Sequence, residues 1–64
     1  MNIDKLRGLM AENGEKQKDL ADVLNVSINT VRLKLKGKND FKSTEIIKLC
    51  EHYRVEANYF FNRV

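Results

Sequence analysis

An all-α fold, a compact bundle of five short helices, follows from three features of this 64-residue chain. Apolar residues recur at helical spacing along the sequence. The chain has no proline and only three glycines, a composition suited to helices joined by tight turns rather than to a sandwich or a linker. Between Gln17 and Gly37, two short helical patterns are separated by a turn of a few residues. No composition shift or repeat divides the chain, so residues 1–64 read as one domain, with a small core that is marginal by itself.

The first helix is expected from Ile3 to about Asn13. Asn2 stands at its N-cap, Asp4 complements the helix dipole, and Ile3, Leu6, Leu9 and Met10 form the inner stripe. Asn13-Gly14 is a stop signal. The second helix begins at Lys16 or Gln17 and ends at Leu24, with Leu20, Ala21 and Leu24 on one face and the small Ala21 where two helices cross closely. Asn25 supplies a residue that tolerates left-handed backbone, and Val26 turns inward. Ser27 caps a third helix that runs to about Lys36 and stops at Gly37. A loop from Lys38 to Lys42 follows, with Phe41 as its apolar anchor. The fourth helix runs from Ser43 or Thr44 to about Tyr53. Its inward stripe is Ile46, Leu49, Cys50 and Tyr53, widened by Ile47. A short fifth helix, Asn58 to Asn62, tucks Phe60 against the core and leaves one side uncovered.

On the third helix, Val31 and Leu35 at i and i+4 point inward. Asn29, Leu33 and Lys36 then face outward with Arg32 at their edge, and Thr30 and Lys34 flank the other edge. Charge follows the same division. The net charge is +3, but residues 32–42 hold Arg32, Lys34, Lys36, Lys38 and Lys42 against Asp40 alone, while the rest of the chain is nearly balanced. A basic run of this kind is ordinarily a solvated face. Beside two helices joined by a turn, the second of them outwardly polar and basic, it reads as a phosphate-facing surface next to a helix-turn-helix.

Other chemistries find little support in the residues. One cysteine forms no internal disulfide and one histidine builds no metal site. No nucleophile stands beside the histidine and no glycine-rich loop cradles phosphate, so no catalytic role, cofactor or metal is expected. The chain begins at Met1, shows no leader or membrane-length apolar run, and is read as a small cytoplasmic, nucleoid-associated protein.

Together, Gln17, Leu20-Ala21, Leu24-x-Val26-Ser27, Thr30-Val31, Lys34-Leu35-x-Gly37-Lys38 and Ile46-Ile47-Lys48-Leu49-Cys50 resemble the lambda-repressor-like domains of phage Cro and repressor proteins, the XRE helix-turn-helix family. Val55 and Tyr59-Phe60-Phe61 fit that family's fifth helix, so the likeness covers nearly the whole chain. It implies a duplex-DNA-binding transcriptional regulator, acting as a homodimer on a pseudo-palindromic operator with the third helix in the major groove. Ile28, Asn29 and Leu33 match base-reading positions, with Arg32 beside them. Gln17, Thr30, Lys34, Lys36 and Lys38 match positions near the DNA backbone. Departures from the family pattern are Lys16 at the usual polar cap of the second helix, Asn25 and Arg54 in place of common glycines, and Met10 and Leu35 where many relatives hold an Arg–Glu pair.

Each assignment has a plainer counterpart. Asn29 is either a surface residue at a helix start or a bidentate reader of adenine. Leu33 is either an isolated exposed leucine or a contact for a thymine methyl. Ile28 either faces the groove or folds back beside Val31. Cys50 reads as an inert core thiol, and His52 as solvated. Tyr59 and Phe61 are the candidates for a dimer surface. The competing function is an antitoxin-like or anti-repressor interaction module built on the same bundle, using its last helix.

Overall fold

The computed structural model of the protein describes residues 1–61, which form α1 (Ile3–Glu12), α2 (Gln17–Leu24), α3 (Ile28–Leu35), α4 (Ser43–Tyr53) and α5 (Asn58–Phe61). No strand occurs among the described residues. The expected end of the last helix at Asn62 lies outside them. None of these helices is long and apolar enough to cross a membrane.

Local chemistry accounts for where the helices start. The Asn2 side chain accepts the Lys5 amide at 3.2 Å, and Ser27 Oγ accepts the Thr30 amide at 3.1 Å. At Lys16 and Lys42 the cap residue has no side-chain acceptor to offer. An acid three residues into the helix reaches back instead: Asp19 accepts the Lys16 amide at 2.7 Å, and Glu45 accepts the Lys42 amide at 2.8 Å. Each contact is the returning half of a capping box and satisfies a donor that the helix start leaves open.

The first four helices end in the same way, each with a residue of positive φ just past its last turn: Gly14 (64°), Asn25 (57°), Gly37 (79°) and Arg54 (56°). The next residue then donates back across the turn. Glu15, Val26, Lys38 and Val55 give their amides to Met10, Ala21, Leu33 and Cys50 at 2.8–3.0 Å. This is the Schellman arrangement, which satisfies carbonyls at the helix end and reverses the chain tightly.

Ten side chains close one core: Leu6, Leu9 and Met10 from α1, Leu20, Ala21 and Leu24 from α2, Val31 and Leu35 from α3, Leu49 from α4 and Phe60 from α5. Fully burying each leucine or phenylalanine is worth about 1.5–3 kcal/mol. Met10 and Leu35 are both buried in this cluster, so apolar packing occupies the place of a polar pair. Arg7 reaches over from α1 and donates to the Leu35 carbonyl at 3.2 Å, bracing the end of α3. The first residues are tied to the last helix, with the Asn2 amide on the Phe60 carbonyl at 2.6 Å. Ile47 departs from expectation. It does not widen the inner stripe of α4 but stands 58% exposed, because Glu45 and Leu49 take the buried positions on that helix.

Candidate nucleic-acid interface

The outer side of α3 is built on a short, firmly seated helix. Val31 and Leu35 anchor it in the core, Ser27 closes its start and Gly37 ends it. Ile28, Asn29, Arg32 and Lys36 are exposed, and Ile28 is 45% exposed rather than folded back beside Val31. The Arg32 guanidinium lies 3.5 Å from the Asn29 amide oxygen, so these two outward residues share one turn of the helix. Leu33 is half-buried yet lies outside the core cluster and the side chains packed on it. Thr30 is half-buried, its hydroxyl 2.8 Å from that of Ser27. Gln17 opens α2 and is also half-buried, while Lys38 is exposed just past Gly37. This face therefore combines amide, guanidinium and branched aliphatic groups, with ammonium groups beside it. Hydrogen-bonding and methyl-contacting groups of these kinds can read base edges, and the cations suit phosphates.

Lys34 is a correction to the expected arrangement. It does not stand at the edge of the outer face where it would meet the DNA backbone. Only 4% of it is exposed, and its amine is turned inward. Nζ lies 2.8 Å from Glu45 Oε1 and donates to the Asp40 carbonyl, also at 2.8 Å. It sits 5.5 Å from the centre of the Phe41 ring. Helical spacing leaves position 34 at the boundary of the Val31–Leu35 stripe, as it leaves the exposed Arg32 on the other side; the Glu45 carboxylate and the Asp40 carbonyl draw Lys34 inward. Burial raises the Glu45 carboxyl, but hydrogen bonds from the Lys34 amine and the Lys42 amide, with the charges of both lysines, outweigh it and hold the group below its ordinary value of 4.5. The exposed cations of residues 32–42 are thus Arg32, Lys36, Lys38 and Lys42, with Asp40 the one acid.

A second polar cluster joins α4 to the turn between α1 and α2. The Tyr53 hydroxyl donates to Glu15 Oε1 at 2.5 Å, and His52 Nε2 lies 2.5 Å from Glu15 Oε2. His52 is therefore engaged with the turn between α1 and α2 rather than merely solvated. Burial, the hydrogen bond to Glu15 and the charge of Glu15 all push the Tyr53 phenol above its ordinary value. The cluster ties α4 to that turn, and its residues are 37 and 38 positions apart. No local spacing signals such a contact.

Tyr59 and Phe61 on α5 are 37% and 51% exposed, whereas Phe60 between them is fully buried. Lys5 Nζ lies 4.9 Å from the centre of the Tyr59 ring. The last helix thus presents aromatic surface outward, away from the core that holds Phe60.

No curated protein and no solved structure matches the chain. The family model of the Cro/C1-type HTH DNA-binding domain, however, matches residues 5–57, a span that takes in α2, α3 and the basic segment after them. With most of its length matched and its two-helix motif in place, this protein belongs to the Cro/C1-type HTH DNA-binding domain family.

Proposed function

We propose that the protein is a sequence-specific, repressor-like regulator of transcription that binds a pseudo-palindromic operator as a homodimer. It lays α3 in the major groove of each half-site. The observation that carries this reading is the outer side of α3, where Ile28, Asn29, Arg32 and Leu33 project from a helix fixed by its own core residues. In this reading Ile28, Asn29, Leu33 and Arg32 read bases. Gln17, Thr30, Lys36 and Lys38 hold the backbone and supply most of the affinity. Lys34 has no part in direct contact, since its amine is committed inward. The protein works where operator DNA lies, in the cytoplasm at the nucleoid. The two-fold assembly uses the aromatic surface of α5, Tyr59 and Phe61.

Selection of binding sites from a random duplex pool tests the reading. Enriched sites are expected to contain two symmetric half-sites with centres about one helical turn apart. The Asn29 side chain offers one amide donor and one acceptor, and adenine presents the complementary pair in the major groove. Asn29→Ala is expected to cost about 1–3 kcal/mol on the best site and to relax the preference at one position in each half-site. A pool that yields no common sequence, or an Asn29→Ala protein with unaltered preference, overturns the assignment.

A further inference from the structure

The loop between α3 and α4 carries Lys38 and leads to Lys42, and it is pinned at both ends. At its start, the Gly37 amide donates to the Lys34 carbonyl at 3.1 Å and the Lys38 amide to the Leu33 carbonyl at 2.9 Å. At its end, the Lys42 amide donates to Glu45 at 2.8 Å. Between these points the Lys34 ammonium gathers the rest: the Asp40 carbonyl, the face of Phe41 and the Glu45 carboxylate. One cation from α3 thus holds the middle of the loop and the first turn of α4 at once.

Stability alone gives a poor account of this arrangement. A buried ion pair loses much of its attraction to desolvation, and an apolar pair of similar size is often as stable. The neighbouring inward positions of α3, Val31 and Leu35, are already apolar. An ammonium at position 34 does what a leucine there would not: it binds a backbone carbonyl and a carboxylate from two other segments and so defines the path of the loop. A lysine presented by an ordered loop reaches a phosphate without the conformational cost of ordering that loop on binding, and this raises affinity.

We propose that the Lys34–Glu45 pair is a positioning device for DNA binding, tethering the α3–α4 loop so that Lys38 and Lys42 are held toward the DNA backbone. Lys34 then serves the interface without touching DNA. The inference rests on the reading that this loop faces phosphates, and the experiment separates the two.

The test is a titration of duplex DNA over a range of salt concentrations with four proteins: the wild type, Lys38→Ala, Lys34→Met/Glu45→Gln and the triple variant. The double variant leaves net charge unchanged, and glutamine at 45 still accepts the Lys42 amide. Its affinity is expected to fall about tenfold, and its salt slope by about one unit for each phosphate that the loop no longer neutralises. Lys38→Ala is then expected to add little in the double variant, a coupling to a side chain that shares no hydrogen bond or ion pair with Lys34 or Glu45. Circular dichroism at each salt concentration gives the folded fraction, and affinities are corrected for it before slopes are compared. A wild-type slope in the double variant, with Lys38→Ala keeping its full effect there, overturns the tether. An unchanged slope for Lys38→Ala in the wild-type background shows that the loop does not face phosphates, which removes the underlying reading as well. Glu45→Ala removes the acceptor that Lys34 and Lys42 share and decides the matter if the double variant does not fold. Weaker binding and a lower slope, despite one more net positive charge, support the tether. Equal or tighter binding overturns it.

Discussion

Leu33 has no hydrogen-bonding group, so any discrimination there comes from apolar contact, most simply with a thymine methyl. Its half-buried position outside the core leaves part of the side chain available for such a contact. Replacing the facing thymine by uracil is expected to weaken wild-type binding and to leave Leu33→Ala nearly unchanged; anisotropy titrations of the four combinations measure this. Equal weakening of both proteins moves the methyl contact to another residue. Arg54 poses a separate question, one of backbone rather than recognition. It ends α4 at φ 56°, where a Cβ is strained and glycine is not. Arg54→Gly is expected to raise stability by about 0.5–1 kcal/mol, since relief of that strain exceeds the entropy glycine adds to the unfolded chain. Urea unfolding checks this, and a lower midpoint means that the arginine side chain stabilises the fold more than its backbone costs. Asn25 shares the conformation and should gain less from glycine, because its short polar side chain tolerates it better.

The ends of the helices were the most legible part of the sequence. Asn2, Ser27, Asn13-Gly14, Asn25 and Gly37 each act through groups within a few residues, and the bounds of the first three helices fall close to where those signals stand. Lys34 stands at the boundary of the inward stripe, where spacing permits either environment and charge favours solvent. It turns inward because Glu45 and the Asp40 carbonyl are supplied from outside the helix. That pair gives stability an acid dependence of definite sign. The folded carboxyl of Glu45 titrates below 4.5, so the unfolded chain binds its proton first as pH falls. The contribution of Glu45 is fully present above about pH 4.5 and is lost as pH falls through the lowered value. Replacing Glu45 by glutamine is therefore expected to flatten part of the acid limb of unfolding free energy against pH. Denaturant melts taken above and below pH 4.5 test this. An identical acid limb in both proteins assigns the dependence to other carboxyls.

Assembly is decided by surfaces that a single folded chain leaves uncovered. Tyr59 and Phe61 remain on the outside because Phe60 alone fills the inner side of a helix only four residues long. Truncating both exposed aromatics to alanine is expected to weaken dimerisation while leaving helical content nearly intact. If binding proceeds through the proposed dimer, the truncation should also weaken operator binding more at low protein concentration than at high. Sedimentation of the free protein and of its DNA complex measures both. One protomer per operator in the complex excludes the two-fold arrangement. Unchanged dimerisation of the truncated protein transfers the interface elsewhere, with the exposed Ile47 on α4 the next apolar candidate.

Number, order and approximate length of the helices, the inward stripes of α1 and α2, and the outward aspect of Asn29 and Lys36 all follow from residue spacing, caps and left-handed stops. These are local interactions, and a linear sequence displays them directly. Folding the helices together settled the rest. It turned Lys34 inward to Glu45, brought Glu15 against His52 and Tyr53, exposed Ile47 and set Arg7 on the end of α3. Each of these depends on which distant group lies within a few ångströms. A long side chain at a boundary position takes the partner that offers charge or hydrogen bonds, and only the packed chain determines which partner that is.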